Sequence, residues 1–509
     1  MKFSVTAAAV SVLAVDSASA SRFDWSSQAI GALNSRGGCC AALMKAPRLK
    51  GKVFGKNSTQ YQDRLETYYS ANAALEPWCM VLPTSTEDVA QIAKVISQKE
   101  CPFGIKSGGH SAFAGSNGVR DGITIDFGYL NETTYDEASK IASIGPGSNW
   151  AMAYDVLDPY GVSAVGGRAS VVGVGGFTTG GGYSFHSGTH GFACDSVQNF
   201  EVVLADGSVV NANPDEHADL FKALKGGSGN FGFVTRVDQR VVDSNMMWGG
   251  FVSYDLSKRD AVFSAYLTFA ENMSEDTASQ NIVALYYDET GYSLRSILTN
   301  VEAKPAPPAF DEYLAIANTS TTVRVGTVAE LVPEFTGPTP LGLYAEWMAG
   351  MTTNDARVLE FIDEKHKEYS EKMKAAAPDS NFNVLVQFQP VTDAIVSHAN
   401  DNGGNVLGLE EVIADGPTLM WLIAVTADSA ENQKKIHPLS LEFRDAVNEY
   451  ATKIGANKNW DYLNYAYGDQ DPIASYGPKS VEVLKAAATK YDPKSVFQRL
   501  RVSGFKLPS

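Results

Sequence analysis

Two clusters of glycine constrain this chain more than any other feature. The first, Lys106-Ser107-Gly108-Gly109-His110-Ser111, follows an apolar lead-in, Phe103-Gly104-Ile105, that predicts a strand. The second runs through Val172-Gly173-Val174-Gly175-Gly176 and on to Gly180-Gly181-Gly182-Tyr183. Glycine turns bring bare amide N–H groups together with no side chains intruding, and such a set of donors suits a pyrophosphate. A histidine directly after the first cluster stands where it can touch, or bond to, whatever carries that pyrophosphate. Alone, His110 would read as a hydrogen-bonded core histidine; the glycine pair before it makes it a candidate. Together these features point to a dinucleotide cofactor.

A third stretch, Gly227-Ser228-Gly229-Asn230-Phe231-Gly232, matches G-x-G-x-x-G letter by letter. It is not a Rossmann fingerprint, which needs a strand before it and a helix after it so that the helix N-terminus faces the pyrophosphate. Here a helix-like segment at 220–225 precedes and a strand follows. The reading is a helix-to-strand loop whose glycines also permit close approach to a cofactor. His186 and His190 have the i, i+4 spacing of metal ligands, but Ser187-Gly188-Thr189 argues against a helix and no companion ligand pattern is near, so no metal is expected. The absence of a G-x-S-x-G elbow disfavours an α/β-hydrolase.

The 509 residues allow two or three domains, and a net charge of -17 (41 basic against 58 acidic residues) repels a phosphate backbone, so nucleic acid is not an expected partner. Lys2, an apolar run over 3–15 and the small residues Ala18-Ser19-Ala20 form a secretory leader. No later apolar stretch is long enough to span a bilayer. Cys39, Cys40, Cys79 and Cys101 cluster near the N-terminus and predict disulfides of unassigned connectivity, with adjacent Cys39 and Cys40 not joined to each other. Cys194 reads as a buried apolar residue. Sequons at Asn57, Asn131, Asn272 and Asn318 agree with export.

The fold class expected is α+β. A capping start at Ser85 and apolar spacing predict a helix over 85–98. Strands are expected at 123–127 and 233–242, and a hairpin joins 200–204 to 208–212 across Asp206-Gly207. From about Met246 the glycine clusters cease. Strands at 281–287, 341–348 and 383–388 then alternate with helices at 354–372 and 430–454, which predicts a second domain of sheet covered by helices. The end of the chain, with Tyr462-Leu463-Asn464-Tyr465 and a helix over 480–490, is polar and aromatic enough to return to the first domain and close a site. Packing and an O–H bond are the plain roles of Tyr183, Tyr462 and Tyr465.

Taken together, Lys106-Ser107-Gly108-Gly109-His110, Val172-Gly173-Val174-Gly175-Gly176, Gly180-Gly181-Gly182-Tyr183, Gly229-Asn230-Phe231-Gly232 and Tyr462-Leu463-Asn464-Tyr465 resemble an FAD-linked oxidase of the vanillyl-alcohol-oxidase type, in its berberine-bridge-enzyme-like branch. The resemblance covers nearly all of the chain after the leader. It implies a two-lobed FAD-binding (PCMH-type) domain and a substrate domain on an antiparallel sheet. The corresponding divisions are a signal peptide at 1–20, an N-terminal FAD part at 21–245 (core about 73–244), a substrate domain at 246–460 and a C-terminal segment at 461–509 that completes the FAD domain.

The resemblance also assigns cofactor contacts to Lys106, Ser107, Gly108, Gly109, His110, Ser111, Val172, Gly173, Gly175, Gly176, Gly180, Gly181, Gly229, Asn230, Gly232, Val234 and Asn464. The histidine matching His110 bonds to the flavin 8α-methyl carbon. Some relatives add a cysteinyl link where this chain has Ala169, so a single link is implied. Valine at position 172, which guards oxygen access, resembles the oxidases.

A fixed flavin removes a hydride from a C–H beside a hydroxyl or amine while a base takes the heteroatom proton. Tyr465 is the expected base, and Tyr183 its activator or a substrate anchor. Gln387 and Gln389 point to one face of their strand. Glutamine orients a hydroxyl without taking its proton, in a place where some relatives carry an acidic base. The implied activity is a secreted FAD oxidase of a small organic metabolite, an alcohol or amine, using O2, releasing H2O2 and working as a monomer. The alternatives are an oligosaccharide oxidase forming a lactone, against which Ala169 counts, and a flavin-binding protein without turnover.

Overall fold

The computed structural model describes residues 38–509; the leader expected at 1–20 lies outside them. The architecture is α+β and holds three sheets. The first has four strands in the order Val53–Phe54, Cys79–Val81, Ile123–Asp126, Phe103–Lys106. Its last three strands are parallel, and the helix Thr86–Lys99 follows Cys79–Val81. That helix starts as expected, with the Ser85 side chain accepting from Asp88 N–H.

The second sheet is antiparallel, in the order Thr133–Asp136, Ile141–Ile144, Phe233–Arg240, Val197–Val203, Val209–Ala212. The hairpin across Asp206-Gly207 forms, with Phe200 opposite Ala212. The third sheet, of eight antiparallel strands, has Ser279–Asp288, Asn383–Val391, Thr418–Ala427 and Tyr344–Thr353 as consecutive neighbours. The helices Ala356–Ala376 and Ala430–Lys453 pack on each other and on this sheet.

The C-terminal stretch returns to the first sheet. Phe103 pairs in parallel with Arg501, its N–H donating to Leu500 O at 2.8 Å and its carbonyl accepting from Val502 N–H at 2.9 Å. The cysteines pair as Cys39–Cys101 and Cys40–Cys79, tying the segment before the first strand to that sheet. Cys194 is free and buried. Among the described residues no helix is long and apolar enough to cross a membrane.

Some expectations shift. The strand expected from 341 starts at Tyr344 and runs to Thr353, because Pro340 and Gly342, whose φ is +83°, break the extended backbone before it. Strands Met246–Tyr254, Gly291–Asn300 and Thr418–Ala427 were not anticipated. Thr418–Ala427 is buried at nine of its ten positions, which erases the alternation that marks a half-buried strand. Ser187–His190 forms a helical turn despite its glycine. A Cβ on Gly188 would lie 2.2 Å from Thr277 O, so glycine there permits close packing and does not signal a break. Among the described residues no group of three or more His, Cys, Asp or Glu is placed to hold a metal ion.

Candidate active site

The two glycine clusters meet backbone to backbone. A Cβ on Gly108 would lie 2.4 Å from Gly173 Cα, and one on Gly173 would lie 2.5 Å from Gly108 Cα. Gly175 abuts the Ser107 hydroxyl in the same way, at 2.7 Å. Gly109, with φ +72°, makes the turn that presents His110.

A cavity of about 740 Å³ opens along this junction. Ser107, Gly108, Gly109, His110, Ser111, Val172, Gly173, Gly175, Gly176, Gly229, Gly232, Val234 and Asn464 line it, as do Tyr183, Tyr465 and Gln387. The remaining expected contacts stand behind its wall. The Lys106 ammonium turns away to Asp126 (3.1 Å), the Thr67 hydroxyl and Arg64 O. It is fully buried there, and burial pushes its pKa down to about 8. Arg64 completes the cluster through two 2.8 Å bonds to Asp126. Lys106 thus braces the strand before the glycine turn. Gly180 makes room for Asn464, whose Oδ1 would be 2.1 Å from an added Cβ, and Gly181 faces Leu407. Asn230 is fully buried and donates to Gly227 O. Gln389 is also fully buried, one step behind Gln387.

His110 stacks on Tyr69 with ring centroids 4.1 Å apart and meets Trp347 edge-on at 5.6 Å. Burial lowers its imidazole to about 4, so it is neutral at ordinary pH. Asn464 Nδ2 donates to Phe177 O (3.0 Å) and to the Tyr462 hydroxyl (3.1 Å). That hydroxyl accepts from the N–H groups of Gly182 and Tyr183 at 3.0 and 2.9 Å. Tyr462 is thus the clamp that holds the C-terminal segment against the second glycine cluster, leaving Tyr465 free to face the cavity.

Tyr465 does not stand alone. Arg168 Nη2 donates to its hydroxyl oxygen at 3.1 Å and also to Gln389 Oε1. The Tyr465 hydroxyl lies 3.4 Å from the same Gln389 oxygen. The Arg168 guanidinium sits 4.0 Å over the Tyr183 ring, where the π face favours a cation. The Tyr183 hydroxyl turns elsewhere, donating to Pro390 O with Gln280 Oε1 3.3 Å away, and burial raises its pKa. Tyr183 therefore meets this group through its ring and not its hydroxyl. Arg168, Tyr69 and Trp347 were not singled out in the sequence. Arg168 had one available signal, as a lone charge inside the small-residue run Gly166-Gly167-Arg168-Ala169-Ser170.

Residues 77–213 match the FAD binding domain family. The FAD-dependent monooxygenase drtC of Aspergillus calidoustus is 36% identical over 92% of this chain and 90% of its own length. The FAD-dependent monooxygenase sdcF of Emericella nidulans is 35% identical over 92% and 98%. The chain belongs to the FAD-linked oxidoreductases of the vanillyl-alcohol-oxidase type. Solved structures of this enzyme family share its fold. 6-Hydroxy-D-nicotine oxidase from Arthrobacter nicotinovorans has a TM-score of 0.75 at 21% identity, covering 90% of this chain and 98% of its own. Glucooligosaccharide oxidase from Acremonium strictum has a TM-score of 0.72 at 19% identity, covering 94% and 100%. The cavity of this FAD enzyme fits its cofactor on its own terms. The Gly108–Gly173 junction sets two side-chain-free backbones against each other in the cavity wall, and the lining carries no carboxylate to repel a pyrophosphate.

Proposed function

We propose that this FAD-dependent oxidoreductase removes a hydride from an alcohol or amine carbon of a small organic metabolite, with Tyr465 as the base. The observation that carries this reading is the 3.1 Å bond from Arg168 Nη2 to the Tyr465 hydroxyl in the cavity wall. When bound, FAD would supply the hydride acceptor, with O2 as the final oxidant and H2O2 as its product. Tyr465 takes the substrate's O–H or N–H proton, and the adjacent guanidinium offsets the negative charge that its oxygen carries before that transfer. Gln389, bonded to Arg168 and near Tyr465, fixes the angle between them. Gln387, in the lining, orients the substrate polar group.

His110 is the tether of the flavin, for which a neutral imidazole is the reactive form. Ala169 in the cavity lining has no thiol for a second link. The glycine-cluster region over 21–245, with 461–509, holds the cofactor, and 246–460 shapes the substrate end. Export is supported by two disulfides and by exposed sequon residues Asn57, Asn272 and Asn318.

The relatives drtC and sdcF, both named FAD-dependent monooxygenases, favour a second reading, in which an oxygen atom enters the product. A substrate panel with peroxide detection and 18O2 separates the two. The oxidase reading predicts stoichiometric H2O2 and no label in the product. Label in the product without peroxide supports monooxygenation. Tyr465→Phe with undiminished flavin reduction rules out the base.

A further inference from the structure

Arg501 is a buried cation whose hydrogen-bond partners among the described residues are all neutral. It is 4% exposed and lines the cavity. Its Nη1 donates to Ser503 O, and its Nη2 to Asn230 Oδ1 at 2.6 Å and Phe505 O at 2.7 Å. Its Nε, also buried, has no partner among the described residues. Burial lowers its pKa only to about 10, with no acidic group offsetting it, so it stays charged. The neighbouring Lys506 donates only to the carbonyls of Phe497 and Arg501. Burial, aided by Arg501, brings Lys506 down to about 5, so it is neutral.

A buried guanidinium with no counter-ion is costly, and proteins pair such charges. The cavity lining contains no Asp or Glu to do so. The missing negative charge therefore belongs to a ligand. Glycines keep the guanidinium uncovered: an added Cβ at Gly504 would lie 2.9 Å from Nη1, and one at Gly229 would lie 4.0 Å from it. The pairing of Arg501 with Phe103 places it beside the strand that leads into Gly108. In FAD the anionic part is the pyrophosphate, and a planar guanidinium suits phosphate oxygens.

We propose that Arg501 binds the FAD pyrophosphate, bringing a charge from the C-terminal stretch to a cradle otherwise made of neutral amides. The proposal rests on FAD occupying this cavity and is independent of Tyr465 acting as base. The test uses full-length protein carrying His110→Ala, freed of flavin and titrated with FAD and with riboflavin while flavin fluorescence is followed. Adding Arg501→Gln should weaken FAD about tenfold or more and leave riboflavin unchanged. Equal losses for both ligands, or no loss for either, would overturn the assignment. If the Gln variant fails to fold, the His110→Ala chain with Arg501 intact still decides the matter. Inorganic pyrophosphate should raise its Tm and compete with FAD but not with riboflavin; neither effect at millimolar pyrophosphate would overturn the proposal. Because the readout is binding, these results stand whatever Tyr465→Phe does to turnover.

Discussion

Replacing Gly108 with alanine tests the junction of the two glycine clusters at its tightest point. The new Cβ would lie 2.4 Å from Gly173 Cα and 2.8 Å from Gly173 N. Carbon atoms sit about 3.5–4.0 Å apart at rest, so one backbone must retreat by roughly 1 Å or more. Both sides are main chain, and no flexible side chain can absorb the motion. Overpacking of this kind costs about 1–3 kcal/mol, and rigid neighbours put this site at the upper end. The retreat also separates the amides proposed to cradle the cofactor, so flavin content should fall more steeply than stability. Gly55→Ala is the control, since nothing lies within 4 Å of its added Cβ; it should change stability by less than about 1 kcal/mol. The assay is flavin absorbance per protein after purification, alongside Tm. A Gly108→Ala protein with the parent's flavin content and Tm would refute the contact between the clusters.

Further outcomes are expected elsewhere. Arg168→Gln should lower the rate of flavin reduction about 100-fold, and the double variant with Tyr465→Phe should be no slower than Tyr465→Phe alone, because the two act as a unit; additive losses in stopped-flow traces would contradict this. Burial holds His186 at about 3, so the unfolded chain takes up a proton that the folded chain refuses. Its contribution to stability therefore falls by about 1.5 kcal/mol as pH drops from 6.5 to 5. Asp195 and Asp461, raised to about 6 by burial, act in the opposite sense, so the test is the difference between parent and His186→Phe, whose Tm should fall less in acid. Removing the Cys40–Cys79 bridge by paired alanines frees a loop with a sequence separation of 39. By loop entropy this costs about 4 kcal/mol, seen as a lower denaturation midpoint.

What was legible in the sequence follows from what only certain residues can do. Only glycine lets Gly108 and Gly173 approach this closely, so the meeting of the two clusters was legible from the residue type alone. The Ser85 cap and the Asp206-Gly207 turn act locally and were read correctly. The Arg168–Tyr465 pair joins residues 297 positions apart, and no local pattern encodes such a meeting. Lys106 and Asn230 sit inside cofactor motifs, yet their side chains turn into the core, since a motif specifies a backbone path more strongly than each side chain's direction. Strand Thr418–Ala427 escaped because burial of both faces leaves no period of two.

The tether proposed at His110 is the most direct point of decision. Purified protein should stay yellow after acid precipitation, and its tryptic peptide 107–120 should carry the mass of one flavin on His110. Colourless precipitate, with flavin released to the supernatant and His110 unmodified, would contradict the covalent site. Protein that purifies without any flavin after expression with ample riboflavin would contradict the account as a whole.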